Sequence, residues 1–98
     1  MTHMPYKDKE KAKKYLREYH EKRRDFVRRL KEVPCTDCGV EYPHYVMDFD
    51  HVRGEKIGNI NVLRTRRSIE SLMDEIDKCE IVCANCHRVR TFERYQLE

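Results

Sequence analysis

Apolar side chains gather on one side of the stretch from residue 6 to residue 32, where Tyr15, Leu16, Tyr19, Phe26, Val27 and Leu30 recur at helical spacings. Lys and Arg fill the other faces, so the stretch predicts one long amphipathic helix. Pro34 ends it, because the residue before a proline is disfavoured in helical geometry. The period then changes. Between His44 and His51, Tyr45, Met47 and Phe49 alternate with Val46, Asp48 and Asp50, which is a strand with one greasy side and one side carrying carboxylates. Val52 to Val62, with Gly54 and Gly58, reads as a mobile loop. Ser68 offers an N-cap, with Glu70 in the first turn, for a helix that buries Ile69, Leu72, Met73 and Ile76. Glu80 to Val82 is long enough for a short second strand, and a last helix opens around Ala84 and runs to about Tyr95.

The chain has 98 residues, enough for one domain whose core covers only a modest fraction of its surface. Charged residues make up 40% and there is no Trp, so the apolar core must be thin. A bound metal would help, because its binding free energy adds to folding free energy in small domains. Residues 1–33 form a basic N-terminal helix with twelve Lys/Arg against six Asp/Glu, a net of +6, which leaves −3 for residues 34–98. The basic part suits a polyanion and the remainder can bind cations. No stretch approaches the roughly 18 apolar residues of a bilayer span, and the N-terminus lacks the apolar core of a secretory signal. The expectation is a soluble, cytoplasmic protein with no membrane partner.

Four of the five cysteines form two pairs, Cys35-x-x-Cys38 and Cys83-x-x-Cys86. Four thiolates in two knuckles supply the closed tetrahedral shell that structural Zn²⁺ prefers. Disulfides or a rubredoxin-like iron centre would use the same residues, but the spacing suits a metal in a reducing compartment and charged residues crowd these knuckles. Gly39 follows the first knuckle and is available for the positive φ that such a turn requires. Cys79 stands outside the pattern and reads as a small, half-buried apolar residue.

The second signal is Asp48-Phe49-Asp50-His51 at a strand end, combined with His87 near the start of the last helix. His87 lies about 100° around the helix from Cys86, so it faces away from the zinc and is free to bind a second cation. Asp48 and Asp50 share a strand face; either could be the carboxylate ligand, and Asp50, nearer the strand end, is favoured. Such an Asp/His pair leaves coordination positions for water and phosphate and suits Mg²⁺, Mn²⁺ or a similar ion. His51 would then be the general base. Asn85 reads either as a brace for the strand-end loop or as a cap for the knuckle's own amides. Arg88, Arg90 and Arg94 are natural phosphate clamps, although a solvated face explains them nearly as well. The basic helix, with Tyr6, Tyr15 and Tyr19 interleaved, could track a DNA backbone. The competing view is a self-paired surface, with Glu10 and Lys14, and Glu18 and Lys22, at i,i+4.

Cys-x-x-Cys-Gly, Asp-Phe-Asp-His and Cys-Ala-Asn-Cys-His-Arg, in this order, resemble the four-cysteine zinc branch of the HNH (ββα-metal) endonucleases, common in phage and prophage genomes. The resemblance covers about residues 33 to 94 and leaves the N-terminal helix outside. It implies an α+β fold: a small, treble-clef-like ββα-metal domain with a structural zinc on its four cysteines. It also implies hydrolysis of DNA phosphodiesters to a 5′-phosphate and a 3′-hydroxyl, with His51 as base and Asp50 and His87 on the catalytic ion. Partners would be DNA and, by analogy, phage packaging proteins, for a monomer or weak dimer in the host-cell interior. The sequence departs from the family twice. Lys78 or Cys79 stands where many members have an Asn ahead of the second knuckle, so that role falls to Asn85, Asn59 or Asn61. Thr91 stands where some members place a second helix ligand. The rival reading is a non-catalytic zinc-finger module that docks DNA or a protein.

Overall fold

A computed structural model describes residues 8–96. Its first element, α1 (Lys9–Leu30), starts where the Asp8 carboxylate accepts the Glu10 N–H at 2.8 Å, and carries Arg28 and Arg29 in its last turn, where cations meet the negative end of the helix dipole. The expected start at residues 6 and 7, and Tyr6 with it, lie outside the described residues. Only the C-terminal half of the predicted apolar stripe is used. Val27 is buried, whereas Leu16 remains 50% exposed.

His44 to Val46, expected to be strand, is a turn of 3₁₀-helix in which the Val46 N–H donates to the Pro43 carbonyl at 2.9 Å. Pro43, at φ −56°, presets the helical turn and delays the strand. Strand β1 therefore spans Met47–His51. It pairs antiparallel with β2 (Cys79–Cys83), Asp50 opposite Glu80 and His51 opposite Cys79. Between them lie α2 (Ile60–Arg66) and α3 (Ile69–Ile76), and α4 (Ala84–Gln96) follows β2 directly. Part of the predicted loop is thus helical. Ile60 and Leu63, one helical turn apart, are buried in α2, which packs on both α1 and α3. Ser68 caps α3 as expected, accepting the Ser71 N–H at 3.2 Å.

Apolar side chains form two small clusters. One joins Val27, Ile60, Leu63 and Leu72, with Phe49 and Ile76 against it; the other joins Cys35, Met47, Val82 and Cys83. Strand β1 feeds both, Phe49 into the first and Met47 into the second, so it fixes the helical layer relative to the cysteine knuckles. The fold is α+β, with four α-helices and a two-stranded sheet among the described residues.

Candidate functional site

The four cysteines come together from three places. Cys35 and Cys38 flank a turn after α1, Cys83 is the last residue of β2, and Cys86 lies in the first turn of α4. Gly39 takes φ +75°, and its N–H donates to the Cys35 carbonyl at 2.9 Å, closing the turn as the sequence suggested. Thr36 ties that turn to β2, its N–H and hydroxyl both donating to the Ile81 carbonyl, at 3.0 and 2.8 Å. All four Sγ atoms lie within 4.8 Å of one another, and the cysteines are free of disulfides. Backbone N–H groups aim at the sulfurs: Cys83 at Cys35 Sγ, 3.3 Å, and Cys86 at Cys83 Sγ, 3.4 Å. Burial pushes the Cys35 thiol up, but the N–H groups of Cys38, Cys83 and Asp37 bring it down to about 6. Its neighbour Cys86 is pushed up to about 12, first by its hydrogen bond with the Cys83 thiol. Four crowded thiols resist ionising together unless a cation takes up their charge. The set is positioned to hold a metal ion.

A second constellation lines a cleft of about 550 Å³ between α1, β1, α2 and α4. Asp48, Asp50, His51 and His87 all reach it, and Lys31, Lys56 and Arg94 line it as well. His87 stands between two carboxylates, with Nδ1 3.0 Å from Asp48 Oδ2 and Nε2 3.4 Å from Asp50 Oδ1. Asp50 is only 3% exposed. It accepts from Arg90 Nη1 at 2.9 Å and from Arg94 Nη1 and Nη2 at 2.9 and 2.6 Å. Burial alone would raise its carboxyl, but hydrogen bonds from Arg94 and then Arg90 hold it down at about 2.

Those contacts correct part of the arginine reading. Arg90 is no open phosphate clamp: it bridges Asp37, Asp50 and Glu80, at 2.6, 2.9 and 2.9 Å, because the turn after α1 and both strands present carboxylates to one face of α4. Arg94 also holds Asp50, yet its side chain is 48% exposed and faces the cleft. Arg88 is exposed on α4. Asn85 is exposed too and stands off the cleft, as the roughly 200° between it and His87 on a helix dictates. Asn59 and Asn61 do line the cleft.

No protein-family model, curated protein or solved structure matches this chain. What the cleft can do follows from its own side chains.

His51 lines the cleft while its Nε2 lies 3.0 Å from Oε2 of Glu75 on α3, a residue the sequence reading passed over. Glu75 is 2% exposed. Its signal was present in the pattern: it follows Leu72 by three positions, so a carboxylate falls on the buried face of a short amphipathic helix. Among the described residues the cysteine set is the only group of three or more His, Cys, Asp or Glu whose ligand atoms all lie within 4.8 Å of one another. Asp50 and His87 approach each other at the cleft, with Arg90 and Arg94 already on the Asp50 oxygens and Asp48 on the other ring nitrogen of His87. No helix among the described residues is long and apolar enough to cross a membrane.

Proposed function

We propose that this chain is a metal-dependent DNA endonuclease of the HNH (ββα-metal) type, in which β1, β2 and α4 form the catalytic element and the four cysteines hold a structural Zn²⁺. One observation carries the reading. An imidazole from the last helix and a carboxylate from the strand approach to 3.4 Å in the cleft that a second imidazole, His51, also lines. Ligand bonds of about 2.1 Å place neighbouring ligands of an octahedral ion about 3 Å apart, so Asp50 Oδ1 and His87 Nε2 suit adjacent positions on one Mg²⁺- or Mn²⁺-like ion. When bound, such an ion supplies charge stabilisation for the phosphate and the departing 3′ oxygen.

The protein's own groups divide the remaining work. His51 accepts the proton of the attacking water. Lys31, Lys56 and Arg94, at the edges of the same cleft, hold phosphate oxygens and set the strand's position. Asn59 and Asn61, which line the cleft, take the amide role in this reading in place of Asn85. The net +6 of residues 1–33 draws the polyanion in without reading its sequence. Zinc is favoured for the cysteine site because four thiolates with N–H donors on their sulfurs make a closed shell with no open position.

A second reading has an observation behind it: Arg90 and Arg94 already satisfy Asp50, which favours a structural carboxylate in a non-catalytic zinc-finger module. Plasmid nicking separates the two. With added Mg²⁺ or Mn²⁺ the parent chain converts supercoiled plasmid to open circle, and His51→Ala lowers the rate by about 10²- to 10⁴-fold while zinc content and a cooperative thermal transition persist. Equal cutting by the parent and His51→Ala would overturn the nuclease reading.

A further inference from the structure

We infer that Glu75 is a positioning residue for the reaction proposed above: its carboxylate holds the His51 imidazole with the proton on Nε2, so that Nδ1 is the atom offered to water. The inference rests on the nuclease reading for its catalytic consequence, but its geometry stands independently. An ionised carboxylate only accepts hydrogen bonds, so a ring nitrogen 3.0 Å from Oε2 must carry a proton for the contact to be favourable. In a neutral imidazole that leaves the other nitrogen, Nδ1, unprotonated. A base confined to one tautomer is competent in every encounter, whereas a freely exchanging ring is partly wrong.

Glu75 is built to stay ionised. Lys78 Nζ donates to Oε1 at 2.8 Å and the Ile57 N–H donates at 2.8 Å to Oε2, the oxygen that also faces His51. Burial works against the charge, yet these donors outweigh it and hold the carboxyl at about 2. Burying a carboxylate beside Leu72 is costly, and an apolar residue there would serve packing better. A purely structural tie for the 55–58 segment already exists in Lys78, whose Nζ donates to the Glu55 carbonyl at 2.6 Å. Besides receiving the Ile57 and Gly58 N–H groups, the carboxylate reaches His51, and that contact is the one with a consequence for the cleft.

The test reads the tautomer and the rate separately. In the full-length, zinc-loaded parent without added Mg²⁺, ¹⁵N resonances of His51, followed as pH is raised until the ring is neutral, show the remaining proton on Nε2 and an unprotonated Nδ1. Glu75→Gln and Glu75→Ala shift that pattern toward a mixture, and lower kcat for plasmid nicking at least ten-fold while KM for DNA changes less than two-fold. A parent His51 protonated on Nδ1 overturns the inference without any variant, should Glu75→Ala fail to fold. Full kcat in Glu75→Gln overturns it as well. If either result appears while His51→Ala is inactive, the positioning role alone fails; if His51→Ala cuts like the parent, the nuclease reading fails first.

Discussion

Replacing Asp50 by Asn removes a charge and changes almost no volume, so it isolates what the two arginines contribute. The carboxylate is 3% exposed and receives three guanidinium hydrogen bonds, one from Arg90 and two from Arg94. Either orientation of the amide turns one oxygen position into an NH₂ that faces donors. Hydrogen bonds to charged groups contribute roughly 1.5–3 kcal/mol each when buried. Two discounts apply. Arg94 is half-exposed, so water screens its share, and Arg90 keeps Asp37 and Glu80 after the change. The net expectation is a loss of about 2 kcal/mol, set by one buried bond lost and one donor pair left clashing. For a domain of this size that lowers the melting temperature by on the order of 10 °C. The assay is thermal unfolding followed by circular dichroism on zinc-loaded protein without added Mg²⁺, where any catalytic ion plays no part. A shift below about 2 °C would refute the reasoning and show that the ion pairs are solvated, with no net stabilisation.

Cys83→Ser removes one thiolate from the most buried part of the cysteine set, so elemental analysis should fall from one zinc per chain to none. Because structural zinc contributes roughly 10–16 kcal/mol, more than a domain this small has in reserve, the cooperative thermal transition should vanish with it. Acid should act through Glu75, whose carboxyl is held at about 2 against its ordinary 4.5. A depressed carboxyl stabilises fully above its unfolded value and loses that contribution as pH falls through its folded one. The stability gap between parent and Glu75→Gln, measured by denaturant titration, should therefore be widest near neutral pH and close between about pH 4.5 and 2; a gap independent of pH would contradict the ionised state.

What could be read from the chain was whatever a local rule controls. Ser68 caps α3 through its own neighbour Ser71, and Gly39 closes a knuckle through a bond four residues long, so both were visible in a short window. The 100° step from Cys86 to His87 likewise follows from helix geometry alone, and it is what separates the ring from the sulfurs and turns it to Asp48 and Asp50. Helix α2 escaped because only Ile60 and Leu63 mark its buried side, and their reason to be helical is Val27, more than thirty residues earlier. The misread charges share that cause. Arg90 looked like a phosphate clamp because its position on α4 is half-exposed by pattern, yet Asp37 reaches it from 53 residues away. Glu75 drew no notice in the sequence because its partner, His51, stands 24 residues away and meets it only when the insertion folds back. Charged side chains carry no periodicity that distinguishes a solvated face from a buried network, so their partners emerge only with the tertiary fold. In a chain that is 40% charged, this is the level at which most of the candidate site is decided.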